Sequence, residues 1–391
     1  MALSFDLTPE QEELKRLVRQ FAVDKVAPRA QDMNARSEFP VDLVQQMGKL
    51  GLFGLPFPEE YGGSGGTFLD LCLAIEEIGR VDQSLGITLE AGVGLGAAPV
   101  WEFGTEEQKR RYLPELASGQ KLAGFGLTEP GGGSDAGGLR TTAKREGDHW
   151  VINGSKQFIT NVGTDISEFV TITAVTNVPP SSGATKAVPE VTNFIVPTGT
   201  PGYTIGKGYR KVGWHASDTR DLYFEDVRVP AENQLGEEGR GFANFLKILD
   251  GGRIAISALA VGSIQGCIDE CLRYAHEREA FGKPIGSYQT IAFKIADMQV
   301  QVELARHAYY YAAWLMMNGK PFKRAASTAK LYSSEAAVTA AREACQIFGG
   351  YGFTTEYPVG RFYQDAKILE IGEGTSEVQR MLIARDLGLP N

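Results

Sequence analysis

Leu127-Thr-Glu-Pro-Gly-Gly-Gly-Ser-Asp135 is a loop that can bring its backbone very close to a ligand. Three successive glycines reach backbone angles closed to other residues, so consecutive N–H groups can converge on an anion. The stretch lacks the Gly-Lys-Ser/Thr ending of a nucleotide P-loop. It also lacks the spaced glycines between a strand and a long helix that hold a dinucleotide. A second stretch, Asp365-Ala-Lys-Ile-Leu-Glu-Ile-Gly-Glu-Gly-Thr-Ser-Glu-Val-Gln-Arg380, sets Glu373 between Gly372 and Gly374, where its carboxylate meets little flanking bulk.

Around the first loop the pattern is β-rich. Val151-Ile-Asn153, Phe158-Ile-Thr160, Phe169-Val-Thr-Ile-Thr173, Asn193-Phe-Ile-Val196 and Leu222-Tyr-Phe224 are short runs bounded by Gly, Pro, Ser and Asn, as strands are. Residues 178–190, with Pro179-Pro-Ser-Ser-Gly183, predict a long flexible hairpin loop. On either side the period becomes helical. Thr8-Pro-Glu-Gln11 and Thr105-Glu-Glu-Gln108 both read as capped helix starts. The first 120 or so residues are expected to be mainly helical, broken by glycines at 62–66 and 92–96, and long helices are expected over 240–276, 288–317 and 322–346. A helix–sheet–helix order suits an α+β assembly of three domains, 1–122, 123–232 and 233–391.

The 391 residues carry a net charge of −9, which argues against a nucleic-acid partner, since such partners need clustered Lys and Arg. Cys72, Cys267, Cys271 and Cys345 make neither a disulfide framework nor a zinc pattern, and fit a reducing compartment. Cys267 and Cys271, four apart, read as paired core residues. The acidic N-terminus is unlike a signal or transit peptide, and no apolar run is expected to reach the length of a membrane span. A bacterial cytoplasmic protein is expected, although a processed mitochondrial matrix protein would look the same. Gly92-Val-Gly-Leu-Gly-Ala97 superficially matches a dinucleotide fingerprint, but no strand precedes it, so close helix packing is the better reading. His149, His215, His276 and His307 show no catalytic or metal spacing.

With both loops in hand, the chain closely resembles the acyl-CoA dehydrogenase family of flavoproteins from end to end. The resemblance is also carried by Phe158-Ile-Thr-Asn161, Gly213-Trp-His-Ala-Ser-Asp-Thr-Arg220, Phe224-Glu-Asp-Val-Arg-Val-Pro230, Leu249-Asp-Gly-Gly-Arg253, Glu277-Arg-Glu-Ala-Phe-Gly-Lys283 and Gln346-Ile-Phe-Gly-Gly-Tyr-Gly352. It implies a helical N-terminal domain, a middle β-barrel and a C-terminal four-helix bundle. It further implies bound FAD, an acyl-CoA substrate, an electron-transferring flavoprotein as electron acceptor, and a homo-oligomer, a homotetramer, with neither nucleic acid nor membrane as a partner.

By the same resemblance Glu373 is the base for the α-proton, since a desolvated carboxylate is a stronger proton acceptor. Phe125, Leu127 and Thr128 would run along the isoalloxazine, with Gly133 and Ser134 near the pyrophosphate and Ser134 also near the thioester. Phe158, where many relatives carry Trp, would lie on the ring's other face, and Thr160 would reach its N5 edge. Thr375 and Glu377 complete the flavin set. Arg278, Phe281, Gln289, Gln346, Gly349 and Gly350 would close over the adenine-dinucleotide half of a neighbour's FAD.

Asp250 and Arg253 would lie beside the CoA moiety, though an intrahelical ion pair explains them as well. Gly372 and Gly374 would line the substrate pocket. Gly372 stands where many straight-chain members have Tyr; loss of that ring would widen the pocket near the α-carbon and favour a branched or bulky acyl group, unless a side chain elsewhere fills the space, and a short-chain or branched acyl group is the expected substrate. Gly252 stands where some members carry the catalytic carboxylate, which leaves Glu373 without a competitor. Glu90 is assigned no role. The alternatives on the same fold are an oxygen-using acyl-CoA oxidase or flavin monooxygenase, and, more remotely, a DNA-associated flavoprotein.

Overall fold

The computed structural model describes residues 5–178 and 188–389. Seven helices come first: α1 (Pro9–Phe21), α2 (Ala27–Arg36), α3 (Val41–Lys49), α4 (Phe68–Gly79), α5 (Gln83–Glu90), α6 (Ala98–Phe103) and α7 (Glu106–Ala117). Both expected caps form. Thr8 and Thr105 each accept the N–H three residues on, while Gln11 and Gln108 reach back to the cap N–H. The expected glycine break at 92–96 does not occur. Ala91–Ala97 is a π-helical turn that carries α5 on into α6. Its glycines serve packing: a Cβ on Gly96 would stand 2.4 Å from the Ala123 carbonyl oxygen.

The middle of the chain is a β-domain of β1 (Leu122–Gly126), β2 (Thr142–Glu146), β3 (His149–Thr160), β4 (Ser167–Asn177), β5 (Glu190–Pro197), β6 (Tyr203–Ile205), β7 (Thr219–Pro230) and β8 (Gln234–Leu235). The sheet order is β6-β7-β3-β2-β4-β5-β8, with β1 parallel on β4. Trp150, Ile152, Ile172, Phe194, Phe224 and Val227 fill its own hydrophobic interior. Two expected strands, 151–153 and 158–160, are one twelve-residue strand, β3, with an irregularity in its pairing to β7 between Lys156 and Ile159. The expected loop at 178–190 falls mostly on 179–187, outside the described residues.

Five helices follow: α8 (Gly241–Glu277), α9 (Gln289–Met317), α10 (Lys323–Phe348), α11 (Val359–Ala366) and α12 (Ser376–Asp386). Helices α8, α9 and α10 pack on one another and α12 packs on α10 to make the bundle. The N-terminal helices and this bundle share one continuous core, in which Val18, Phe53 and Ile75 join Ile254, Leu259 and Phe362. Helix α4 lies almost in backbone contact with α8: a Cβ on Gly262 would stand 2.2 Å from the Glu76 carbonyl oxygen. One expectation needs correcting. Helix α8 is long and apolar enough to cross a membrane, but its apolar stretch is mostly buried inside the protein, as suits a central core helix. Cys267 and Cys271 lie buried on it.

Candidate active site

Glu373 sits on the turn that leads into α12. Its backbone is left-handed at φ 52°, followed by Gly374 at φ 93°, so the carboxylate-bearing residue itself stands in a conformation that usually costs a non-glycine about 1–3 kcal/mol. The surroundings hold it there. Thr375 caps α12 by accepting the Val378 N–H, and the Gly374 carbonyl accepts from both Gln379 Nε2 at 2.9 Å and Lys330 Nζ at 2.8 Å. Glu377 lies exposed in the first turn of α12, one turn from the carboxylate. Gly372 is not left-handed, and a Cβ there would meet nothing nearer than 3.5 Å, so its backbone does not require glycine.

Both carboxylate oxygens of Glu373 are shielded from solvent, and among the described residues no N–H or hydroxyl group donates to either. A Cβ on Gly252 of α8 would stand 2.3 Å from Glu373 Oε2, so the carboxylate occupies the space a side chain there would need. Glu90, the last residue of α5, points to the same place: its Oε1 is 3.7 Å from that Cβ position, and its two oxygens are likewise buried and without a donor. Burial pushes Glu373 up to about 7, with Glu90, Lys330 and Arg253 pulling the other way. Burial, and then the Glu373 charge, hold Glu90 well above the usual carboxylate range. Lys330 is lowered to about 8 by its own burial. Neither Glu90 nor Lys330 was assigned a role from sequence. The available signal for Glu90 was a single charge in the apolar stretch 83–100, whereas Lys330 lies on a helix with several other charged residues and gave no such signal.

The glycine loop is rooted by a buried ion pair. Glu129 accepts the Arg140 and Thr141 N–H groups at 2.7 and 3.1 Å and Lys156 Nζ at 2.8 Å. Lys156 also donates to the Leu127 carbonyl and to Thr173. Burial lowers Lys156 to about 8 against the pull of Glu129. Beyond that root the loop is open. The N–H groups of Gly131, Gly133, Ser134 and Asp135 have no acceptor among the described residues, and Ser134 is exposed. Phe125 stacks on Phe245 of α8 at 3.9 Å, Leu127 is buried, and the Thr128 carbonyl accepts from the Gln157 N–H at 2.8 Å.

That last bond ties the loop to the irregularity in β3, which turns Phe158 outward. Its φ is 61°, it is 57% exposed, and its ring lies 5.1 Å from Tyr209. Thr160 ends the same strand. An exposed aromatic on strained backbone beside a row of unpartnered N–H donors suits a planar ring carrying phosphates, so these residues fit FAD. The loop cluster adjoins the carboxylate cluster, because Asn161 donates to the Thr88 carbonyl two residues before Glu90, and Phe245 lies two turns before Gly252.

Asp250 and Arg253 form a buried intrahelical ion pair joined by Lys323, with Arg253 Nε left without a partner. Arg278, Phe281, Gln289, Gln346, Gly349 and Gly350 are not brought to this site. They form an exposed patch where α8 and α10 end side by side, locked by Tyr274 stacked on Phe348 at 4.0 Å. Phe281 is left-handed and 97% exposed. At ~1.5 Å per helical residue, Arg278 lies about 39 Å along α8 from Gly252.

Models of the acyl-CoA dehydrogenase N-terminal, middle and C-terminal domains match residues 8–120, 124–227 and 239–388. The chain therefore belongs to the acyl-CoA dehydrogenase family. It is 50% identical over 386 residues to a probable acyl-CoA dehydrogenase of Bacillus subtilis, covering 98% of this chain and 100% of that one. Butyryl-CoA dehydrogenase from Megasphaera elsdenii superposes with a TM-score of 0.93 at 43% identity, covering 98% of this chain and all of the other. A chain from a structure of the electron transferring flavoprotein of Acidaminococcus fermentans also superposes with a TM-score of 0.93, at 42% identity, covering 98% of this chain and 99% of that one.

Proposed function

We propose that this protein is a FAD-dependent acyl-CoA dehydrogenase that converts a short-chain or branched acyl-CoA to the trans-2-enoyl-CoA, with Glu373 taking the α-proton. The observation that carries the assignment of the base is the Glu373 carboxylate, buried, without a hydrogen-bond donor and fixed on a strained turn. FAD, when bound, supplies the acceptor for the hydride leaving the β-carbon, and the electrons then pass to an electron-transferring flavoprotein. Phe125, Leu127, Thr128, Gly133, Ser134, Phe158, Thr160, Thr375 and Glu377 hold the flavin. Asp250, Arg253, Ser134, Gly372 and Gly374 hold the substrate.

In this arrangement the chain's own groups orient and exclude. Burial keeps water from the carboxylate, and Lys330, Gln379 and Thr375 fix the turn that aims it. The α-proton ends on a Glu373 oxygen. The Arg278 patch, too far along α8 to serve the same chain's flavin, is supplied to a neighbouring subunit in a homotetramer. Domains at 1–122, 123–232 and 233–391 and a bacterial cytoplasmic setting accord with the element order and the four free cysteines.

Turnover of butyryl-CoA, 2-methylpropanoyl-CoA and benzylic acyl-CoAs with an electron-transferring flavoprotein, compared with turnover in air, tests the assignment. The expected result is enoyl-CoA formation that depends on the flavoprotein, with little peroxide. Fast turnover in air with stoichiometric peroxide would make the protein an oxidase.

A further inference from the structure

Glu90 is the last residue of α5, immediately before the π-helical turn Ala91–Ala97, and such turns inside helices often mark functional positions. It is fully buried, and both of its oxygens lack a donor. A buried carboxylate with no partner is costly unless it carries a proton or receives one through a hydrogen bond. Across the Gly252 gap, the Cβ position that lies 3.7 Å from Glu90 Oε1 lies 2.3 Å from Glu373 Oε2, which is also without a donor. Two buried carboxyls brought together cannot both ionise cheaply, and one proton between them satisfies both.

We propose that Glu90 is a positioning residue that stays protonated and donates a hydrogen bond to the Glu373 carboxylate, so that the pair carries one negative charge in the resting enzyme. The proposal rests on Glu373 as the base. Lys330 faces the Glu90–Glu373 pair from α10 and Arg253 from α8, and the two cations favour a single net negative charge over none. Cys72 of α4 is also buried, and its thiol is raised mainly by that burial and next by the Glu90 charge. The donated hydrogen bond keeps the base ionised near neutral pH inside a dry pocket. Gly252 is needed for this contact, since a side chain there would stand in the gap.

The test compares Glu90→Gln, which keeps an N–H donor, with Glu90→Met, which has similar length and no donor. Two readouts are taken on the flavin-loaded protein: the infrared C=O band of a protonated buried carboxyl without substrate, and the pH profile of flavin reduction by butyryl-CoA. The expected result near neutral pH is that the band disappears in Glu90→Gln, while in Glu90→Met a carboxyl band remains that now belongs to Glu373 and is lost in Glu90→Met carrying Glu373→Gln as well. The acid limb should stay near that of the parent in Glu90→Gln and rise by about one to two pH units in Glu90→Met, the size of a hydrogen bond to a charged group. A band that persists in Glu90→Gln, an unmoved limb in Glu90→Met, or a limb that falls in both variants would each overturn the proposal. Glu373→Gln, measured alongside, separates the two ideas: if it reduces flavin normally, the base assignment fails first.

Discussion

Two regions on α8 are opposites in their relation to water. Around Gly252 the helix has no side chain; the Glu373 carboxyl fills the vacated space, the Glu90 carboxyl borders it, and water cannot reach the oxygens of either. At its far end, around Arg278 and Phe281, nearly everything is exposed, including a phenylalanine at 97%. Chemistry that depends on a raised carboxylate needs the first environment. An exposed arginine with a forked charge and a bare aromatic ring is useful only once something covers it. On the proposed assignment, the same helix serves one flavin with its start and another, in a neighbouring subunit, with its end.

The contrast can be broken at either end, and the largest effect belongs to the base. Glu373→Gln preserves shape and removes the proton acceptor, so kcat should fall by roughly 10²–10⁴-fold, the range of general-base catalysis, while flavin and acyl-CoA still bind. Steady-state assays with a dye acceptor would show this. Next is Gly252→Ala. Its methyl would stand 2.3 Å from Glu373 Oε2 and must push the carboxylate aside; a misplacement on the order of 1 Å should cost about 10²-fold in kcat with flavin content unchanged.

Gly372→Tyr should act on specificity. The backbone at 372 accepts a side chain, so the ring can enter the pocket and penalise branched acyl-CoAs over straight ones by roughly 10–200-fold in the ratio of kcat/KM values. Equal losses on all acyl groups would mean that the position does not shape the pocket. The smallest effect is expected at the open end. Arg278→Ala should leave the chemistry intact and lower the flavin retained after gel filtration several-fold, with the oligomer loosening as flavin is lost. Full flavin content in a monomer would remove the shared-site picture.

Sequence and structure agree best where a local rule decides. Thr8-Pro9 and Thr105 start helices because their side chains cap them, and glycines around Glu373 signal a carboxylate on an unusual turn. The reading fails where partners come from afar. Glu90 looks like a stray charge in an apolar stretch, and Lys330 like one of several charges along α10, until α5, α8 and α10 meet around Glu373. Strands β1 and β2 were missed because Leu122–Gly126 is glycine-broken and Thr142–Glu146 is charged, and each forms only by pairing with other strands. The irregularity that exposes Phe158 is set by the register of β3 on β7, which the period of β3 alone does not contain. Nor does helical periodicity reveal that the first and last thirds of the chain share one core.

The most direct test of the central claim is anaerobic mixing of the flavin-loaded protein with butyryl-CoA, followed by flavin absorbance with and without deuterium at the α-carbon. The account predicts prompt bleaching in the parent, slowed by α-deuteration, and in Glu373→Gln a bound complex whose flavin stays oxidised over the same interval. Bleaching of Glu373→Gln at a rate within about tenfold of the parent would be far short of the roughly 10²–10⁴-fold expected of a lost general base and would contradict the claim that Glu373 takes the proton.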